Sequence, residues 1–306
     1  MAGTRVARSA ARATALGLAA VLLWSTSVGI TRNTTELLGA TGAPAVLFTV
    51  SALLLWPGRS ALGAVPRTYL WLGGLLFVGY QLCFVLALAL ARTRSEAIEV
   101  GMVNYLWPSL TVLSATLAGG RRPNAPMLLG LGLAFAGIVT TASPAEGLSL
   151  TRFFAHAAAH PLSYGLALGA AVVWALYSTC TRYLAGGQSA LWLYVALSAA
   201  AFWVLHALQA DRGAMRWSVA AVWLVVLSSA SVALAYSFWN HGLLHGNIHL
   251  LALAANGTPV LAALFASVLL RTPLTLTFWV GAFMVAIGSA LAGHGSQRLG
   301  SPARRI

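Results

Sequence analysis

An all-α integral membrane fold is predicted for this chain, with ten transmembrane helices arranged as an inverted 5+5 repeat around a central cavity. Three observations carry it. First, the 306 residues are 59% apolar and only 8% charged, with a mean hydropathy of +0.82. So few charges could not cover the surface of a soluble protein of this size. Second, the apolar residues fall into runs long enough to cross a bilayer. Third, the chain repeats itself. The stretch 16–32, LGLAAVLLWSTSVGITR, returns at 166–182 as LALGAAVVWALYSTCTR, with Leu16/Leu166, Ala20/Ala170, Trp24/Trp174, Thr31/Thr181 and Arg32/Arg182 all offset by 150.

A spanning helix takes about 17–25 mostly apolar residues. Ten segments meet that description: 14–31, 40–57, 68–91, 96–119, 124–142, 162–184, 189–208, 219–240, 249–270 and 273–293. The second is the shortest and contains Pro44. The longest connection, 143–161, is polar, carries Pro144 and Pro161, and lies at the midpoint. It divides the chain into a first five-helix repeat, 1–150, and a second, 151–306. Arg5, Arg8 and Arg12 before an apolar run resemble a cleaved signal peptide. The internal copy at 166–182 cannot be cleaved and argues against that reading. The repeat extends further: Ile98 matches Ile248, and Pro108, Leu113 and Gly137 match Pro259, Leu264 and Gly288 at an offset of 151. An odd number of helices per half requires the second half to be inverted.

Arginine placement predicts orientation. The side that holds Arg5, Arg8 and Arg12 also receives Arg59, Arg67, Arg121, Arg122, Arg182, Arg298, Arg304 and Arg305, with no carboxylate. The opposite side has seven arginines, offset by Glu36, Glu96, Glu146 and Asp211. Both termini are therefore expected in the cytoplasm. The net charge of +13 comes from arginines scattered between apolar runs, which reads as topology signal and gives no case for nucleic acid. Cys83 and Cys180 both fall inside apolar runs, so neither a disulfide framework nor zinc spacing is present.

Motifs of soluble enzymes are missing. There is no GxxxxGK[ST], HExxH or GxSxG, and five carboxylates in all leave little for acid–base work. Membrane chains that repeat in inverted halves are typically transporters, with solute held between the repeats. No cofactor and no metal is expected.

The segment 98–111, IEVGMVNYLWPSLT, concentrates polar and aromatic residues in a span. Pro108 removes a backbone hydrogen bond and should kink its helix, and Pro259 holds the matching place. Paired kinks suit a gating hinge, although prolines also tune membrane packing. Glu99 is the one carboxylate placed within a span, where a charge costs at least ~2.5 kcal/mol at mid-membrane. It serves either as an interface anchor paired with Arg92 or Arg94, or as a substrate or proton contact. Trp24 and Trp174 lie mid-span at equivalent positions, and Tyr80, Tyr105, Trp107 and Tyr177 join them as cavity-wall candidates. Helix packing is the competing explanation. Gln81, Asn104, Ser178, Asn240 and Asn256 could supply donors and acceptors for a small zwitterion. His241, His245 and His249 are spaced by four, but Gly242, Gly246 and Asn247 are expected to break that pattern into a turn, which disfavours a metal site.

The chain resembles the drug/metabolite transporter superfamily with its EamA-like repeats. Within it, LLWSTSVGITR at 22–32, AIEVGMVNYLWPSLT at 97–111, PLSY at 161–164 and LHGN at 244–247 resemble the bacterial aromatic amino acid exporters of the YddG type. The resemblance implies export of aromatic and other neutral amino acids, such as threonine and methionine, across the inner membrane of a Gram-negative cell. It also implies a cavity lined by several helices, with the amino acid and the lipid bilayer as partners; the oligomeric state stays open, a monomer being one option. Small multidrug exporters of the superfamily rely on a first-helix Glu, which is replaced here by VLLWSTSVG. Nucleotide-sugar carriers would need cations in the cavity, and the arginines here sit at span ends. Two other classes stay open: an exporter of another small neutral solute, and a membrane scaffold or channel without a gated cavity. The energy source is also open between proton coupling and facilitated diffusion.

Overall fold

The computed structural model describes the backbone of residues 2–58, 62–142, 149–209 and 215–300. Within these, the side chains of 2–9, 240, 243, 244, 248, 249, 252, 253 and 297–300 lie outside the description. Among the described residues the chain is helical throughout, apart from turns. The helices are α1 (Ala2–Ser25), α2 (Ser27–Leu38), α3 (Gly42–Leu55), α4 (Arg67–Leu90), α5 (Arg94–Asn104), α6 (Trp107–Ala118), α7 (Ala125–Thr141), α8 (Leu150–Ala159), α9 (Pro161–Leu184), α10 (Leu191–Leu208), α11 (Val219–His245), α12 (Ile248–Asn256), α13 (Thr258–Leu269) and α14 (Leu276–Gly300).

Five of these are long and apolar enough to cross a membrane: α4, α9, α10, α14 and the stretch Val219–Trp239 of α11. The pair α1 and α2 makes a sixth if taken as one span bent by 44°. The rest of the expected spans are short or broken. Helices α3, α7 and α13 are apolar but below full spanning length, and the segments expected at 96–119 and 249–270 each divide into two helices.

The breaks have local causes. Between α5 and α6, the Tyr105 and Leu106 amides bond carbonyls three residues back, Met102 O at 3.0 Å and Val103 O at 3.2 Å. Pro108, in the first turn of α6, has no amide to continue the older ladder. Between α12 and α13, Gly257 bonds Ala254 O at 2.9 Å, and Pro259 stands in the first turn of α13. The break at Thr26 has no proline. There Ser25 Oγ donates to Val21 O at 2.8 Å and Thr26 Oγ1 to Leu23 O at 2.7 Å, and such back-bonding bends helices.

The chain forms two compact units: Met1–Leu62 with Ala190–Thr272, and Gly63–Ser189 with Pro273–Ile306. Each draws helices from both sequence halves. In the first unit, α1 packs on α11 and α3 on α10. Phe48 stacks on Phe202 with centroids 5.7 Å apart, and Ser51 and Ser229 exchange bonds across α3 and α11, Ser51 Oγ to Ser229 O at 3.1 Å and Ser229 Oγ to Leu47 O at 3.0 Å. In the second unit, α7 packs on α14 and α4 on α9. The α7–α14 seam is made by glycines: Gly130 and Gly137 face Gly288 and Gly281, where a Cβ would meet backbone of the partner helix. Small residues let membrane helices approach this closely.

Two expectations are corrected. The connection 143–161 is not simply a polar loop, because 150–159 forms α8. Ser149 Oγ accepts from Arg152 N, and Phe153 is buried against Phe135 of α7. The break expected over Gly242, Gly246 and Asn247 falls at Gly246 and Asn247 only, between α11 and α12. Helix α11 runs through Gly242 to His245, and Gly242 packs closely on α1, where a Cβ would lie 2.9 Å from the Gly17 Cα. His241 and His245 consequently stack, with rings 4.7 Å apart.

Candidate functional site

Trp174, midway along α9, is the hub of an aromatic cluster in the second unit. Its ring centroid lies 4.5 Å from Tyr80 of α4, 5.1 Å from Tyr177 one turn on, 6.2 Å from Phe77 and 6.2 Å from Trp107 at the start of α6. The i, i+3 spacing of Trp174 and Tyr177, and of Phe77 and Tyr80, puts each pair on one helix face. The rings meet tilted or edge-on rather than face to face, as their quadrupoles prefer.

Asn104, the last residue of α5, is 2% exposed. Its side chain lies beside Tyr80, and its Oδ1 has no hydrogen-bond partner. A buried amide acceptor left open costs about 1–3 kcal/mol, so its presence at the edge of an aromatic cluster calls for a role. Tyr105 and Gln81 are buried in the same unit. Ser178 Oγ donates to Trp174 O at 2.8 Å and so spends its proton on its own helix.

Trp24, the repeat counterpart of Trp174, is the hub of a smaller cluster in the first unit. It lies 5.5 Å from Tyr236 and 5.1 Å from Trp239, both on α11. Asn256 ends α12 in that unit, just as Asn104 ends α5 in the other. The side chain of Asn240 lies outside the described residues, as do those of His249 and Glu146.

Glu99 does not join the tryptophan cluster through any bond among the described residues. Its Oε2 accepts from Tyr164 Oη at 3.1 Å and lies 3.7 Å from His156 Nδ1. The partners considered from sequence, Arg92 and Arg94, are replaced by residues of α9 and α8. Nearby, Glu96 Oε2 accepts from Arg92 N at 2.8 Å, and its Oε1 lies 3.5 Å from His160 Nδ1. Sequence reasoning gave no role to Tyr164, Phe77, His156 or His160. The available signal was the pairing of Glu96/Glu99 with His156/His160 at near-helical spacings. No group of three or more His, Cys, Asp or Glu side chains suited to a metal ion occurs among the described residues.

The sequence profile of the EamA-like transporter family matches residues 161–293. The aromatic amino acid exporter YddG of Salmonella typhimurium and that of Escherichia coli are each 40% identical to this chain over 289 residues, covering 94% of it and 98% of the relative. The chain belongs to the EamA-like transporter family. The YddG exporter of Ancylobacter novellus is 29% identical over 265 residues, covering 84% of this chain and 88% of that protein. A solved crystal structure at 24% identity superposes with a TM-score of 0.66 over 96% of this chain and 100% of its own, a likeness of fold. Family membership and its apolar helices make this EamA-like protein a multi-pass membrane protein of transporter type.

Proposed function

We propose that this EamA-like transporter exports aromatic and other neutral amino acids, threonine and methionine among them, across the inner membrane by alternating access. The observation that carries the reading is the open Asn104 Oδ1 beside the ring cluster of Trp174, Tyr80, Tyr177 and Trp107 in a chain related to amino acid exporters. An amide oxygen suits an ammonium group, and ring faces favour both cations and apolar side chains. No ionised side chain is needed, which suits a cargo of zero net charge. Tyr105, Gln81 and Ser178 are assigned to the same unit's contacts. Trp24 and Asn256 are the candidates of the other unit, with Asn240 kept on sequence grounds.

In this reading the ten spans form two inverted repeats, 1–150 and 151–306, with both termini cytoplasmic. The broken pairs α1–α2, α5–α6 and α12–α13 each count as one span. Pro108 and Pro259 act as hinges, since a helix interrupted ahead of proline can change angle without losing further backbone bonds. Glu99 is reassigned from direct cargo contact to the end of its unit, with Tyr164 and His156.

The test is flux in proteoliposomes against a panel of amino acids. Saturable uptake accelerated by unlabelled amino acid on the far side is the expected result. Linear, non-saturating flux without counterflow would make the protein a channel, and no flux for any amino acid would remove this cargo class.

A further inference from the structure

The helix α8 and the head of α9 meet the start of α5 through two histidine–carboxylate pairs. His156 Nδ1 lies 3.7 Å from Glu99 Oε2, and His160 Nδ1 lies 3.5 Å from Glu96 Oε1. Both histidines come from the segment that joins the sequence halves, and both carboxylates come from the first turns of α5. The two acids are otherwise held differently. Glu99 takes the Tyr164 hydroxyl, and Glu96 takes the Arg92 amide on Oε2 while its Oε1 is buried with no hydrogen bond. Glu96 is 8% exposed. That open acceptor, with an imidazole nitrogen just outside bonding distance, marks a contact that tightens when the imidazole gains a proton and becomes a charged donor.

We propose that the His156–Glu99 and His160–Glu96 pairs form a pH-sensitive clasp that fastens α8 to α5. The proposal does not depend on which solute is carried. Other titratable or charged groups in the packed elements leave the pairs as described. Arg92, Arg94 and Arg152 are permanent cations, and Tyr164 donates its hydroxyl to Glu99 Oε2. Helix α7 has no titratable residue, contributing Phe135 against Phe153. The titratable residues of α4 (Arg67, Tyr69, Tyr80, Cys83) lie well before its end at Leu90, and those of α9 beyond Tyr164 (Tyr177, Cys180, Arg182, Tyr183) lie toward its far end. Histidine is the side chain that ordinarily changes charge between about pH 5 and pH 8. At the acid end they are cations facing carboxylates, and the clasp is closed. At the alkaline end they are neutral, and the charge-assisted part of each contact is lost. Because α5 ends at Asn104, the clasp also sets how firmly that residue's helix is anchored.

The experiment is hydrogen exchange on the full-length protein in nanodiscs at pH 5.5 and pH 8, corrected for the intrinsic pH dependence of exchange. Two partly buried pairs predict a roughly fivefold rise in protection of residues 150–160 at the acid pH. The double variant His156→Gln, His160→Gln should show the same protection at both pH values, equal to the wild-type value at pH 8. A pH-independent wild-type α8, or a pH response retained in the double variant, would overturn the proposal. Glu96→Gln is the second arm. It keeps the shape of the pair and should halve the response, and an undiminished response would also count against the clasp.

Discussion

Gly137 of α7 and Gly281 of α14 approach so closely that a Cβ on the first would lie 2.6 Å from the carbonyl oxygen of the second. The relation is reciprocal, since a Cβ on Gly281 would lie 2.6 Å from the Gly137 oxygen. Neither obstacle is a flexible side chain, so any substitution must push the helices apart. Gly137→Val is expected to destabilise the second unit by about 3 kcal/mol. A thermal melt in detergent checks this, with Gly132→Val, which meets open space, as the control that should melt like wild type.

Trp174 makes four ring contacts, each worth about 0.5–1.5 kcal/mol in a well-formed pair. Trp174→Ala is expected to cut amino acid flux by about tenfold or more at sub-saturating cargo, while Trp174→Phe keeps a larger share. The readout is initial efflux rate against concentration. An unchanged rate in the alanine variant would detach the cluster from cargo binding.

Asn104 separates stability from activity. Replacing it with leucine removes the open buried acceptor, so the folded protein is expected to be as stable as wild type or more so, by up to about 1 kcal/mol. Flux is expected to fall at least about tenfold, as an interaction with a charged group is worth about 1.5–3 kcal/mol. A stable Asn104→Leu protein that exports normally would show that the open oxygen does not meet the cargo.

Pro108→Ala restores an amide at the first turn of α6 and allows α5 and α6 to join. The expected outcome is slower turnover with cargo affinity nearly unchanged, because the change acts on the helix junction and not on a contact. Measuring binding and flux on the same preparation distinguishes this from loss of the site.

Much of the scaffold was legible because bilayer thickness sets a length and burial sets a composition. The apolar runs at 68–91 and 162–184 became α4 and α9 with ends within a residue or two. The broken helices were legible in part. Pro108 and Pro259 announce theirs, but the break at Thr26 depends on which way two hydroxyls turn, and Ser178 and Thr179, three residues further along the repeat, bond the carbonyls of Trp174 and Ala175 without breaking α9. The tryptophan hubs could be read from the repeat. Their neighbour Phe77 could not, since apolar rings are common in any span. For Glu99, sequence proximity offered Arg92 or Arg94 as one option, whereas helix packing brought in Tyr164, 65 residues away.

The interrupted helix pairs have an electrical consequence. At each junction one helix ends and the next begins within one or two residues, so the partial negative pole of α5 abuts the partial positive pole of α6, and the same holds for α12 and α13. Both signs of field are thereby presented at one depth by peptide groups alone. Such a field has no proton to lose, and neither acid nor base in the medium can switch it off.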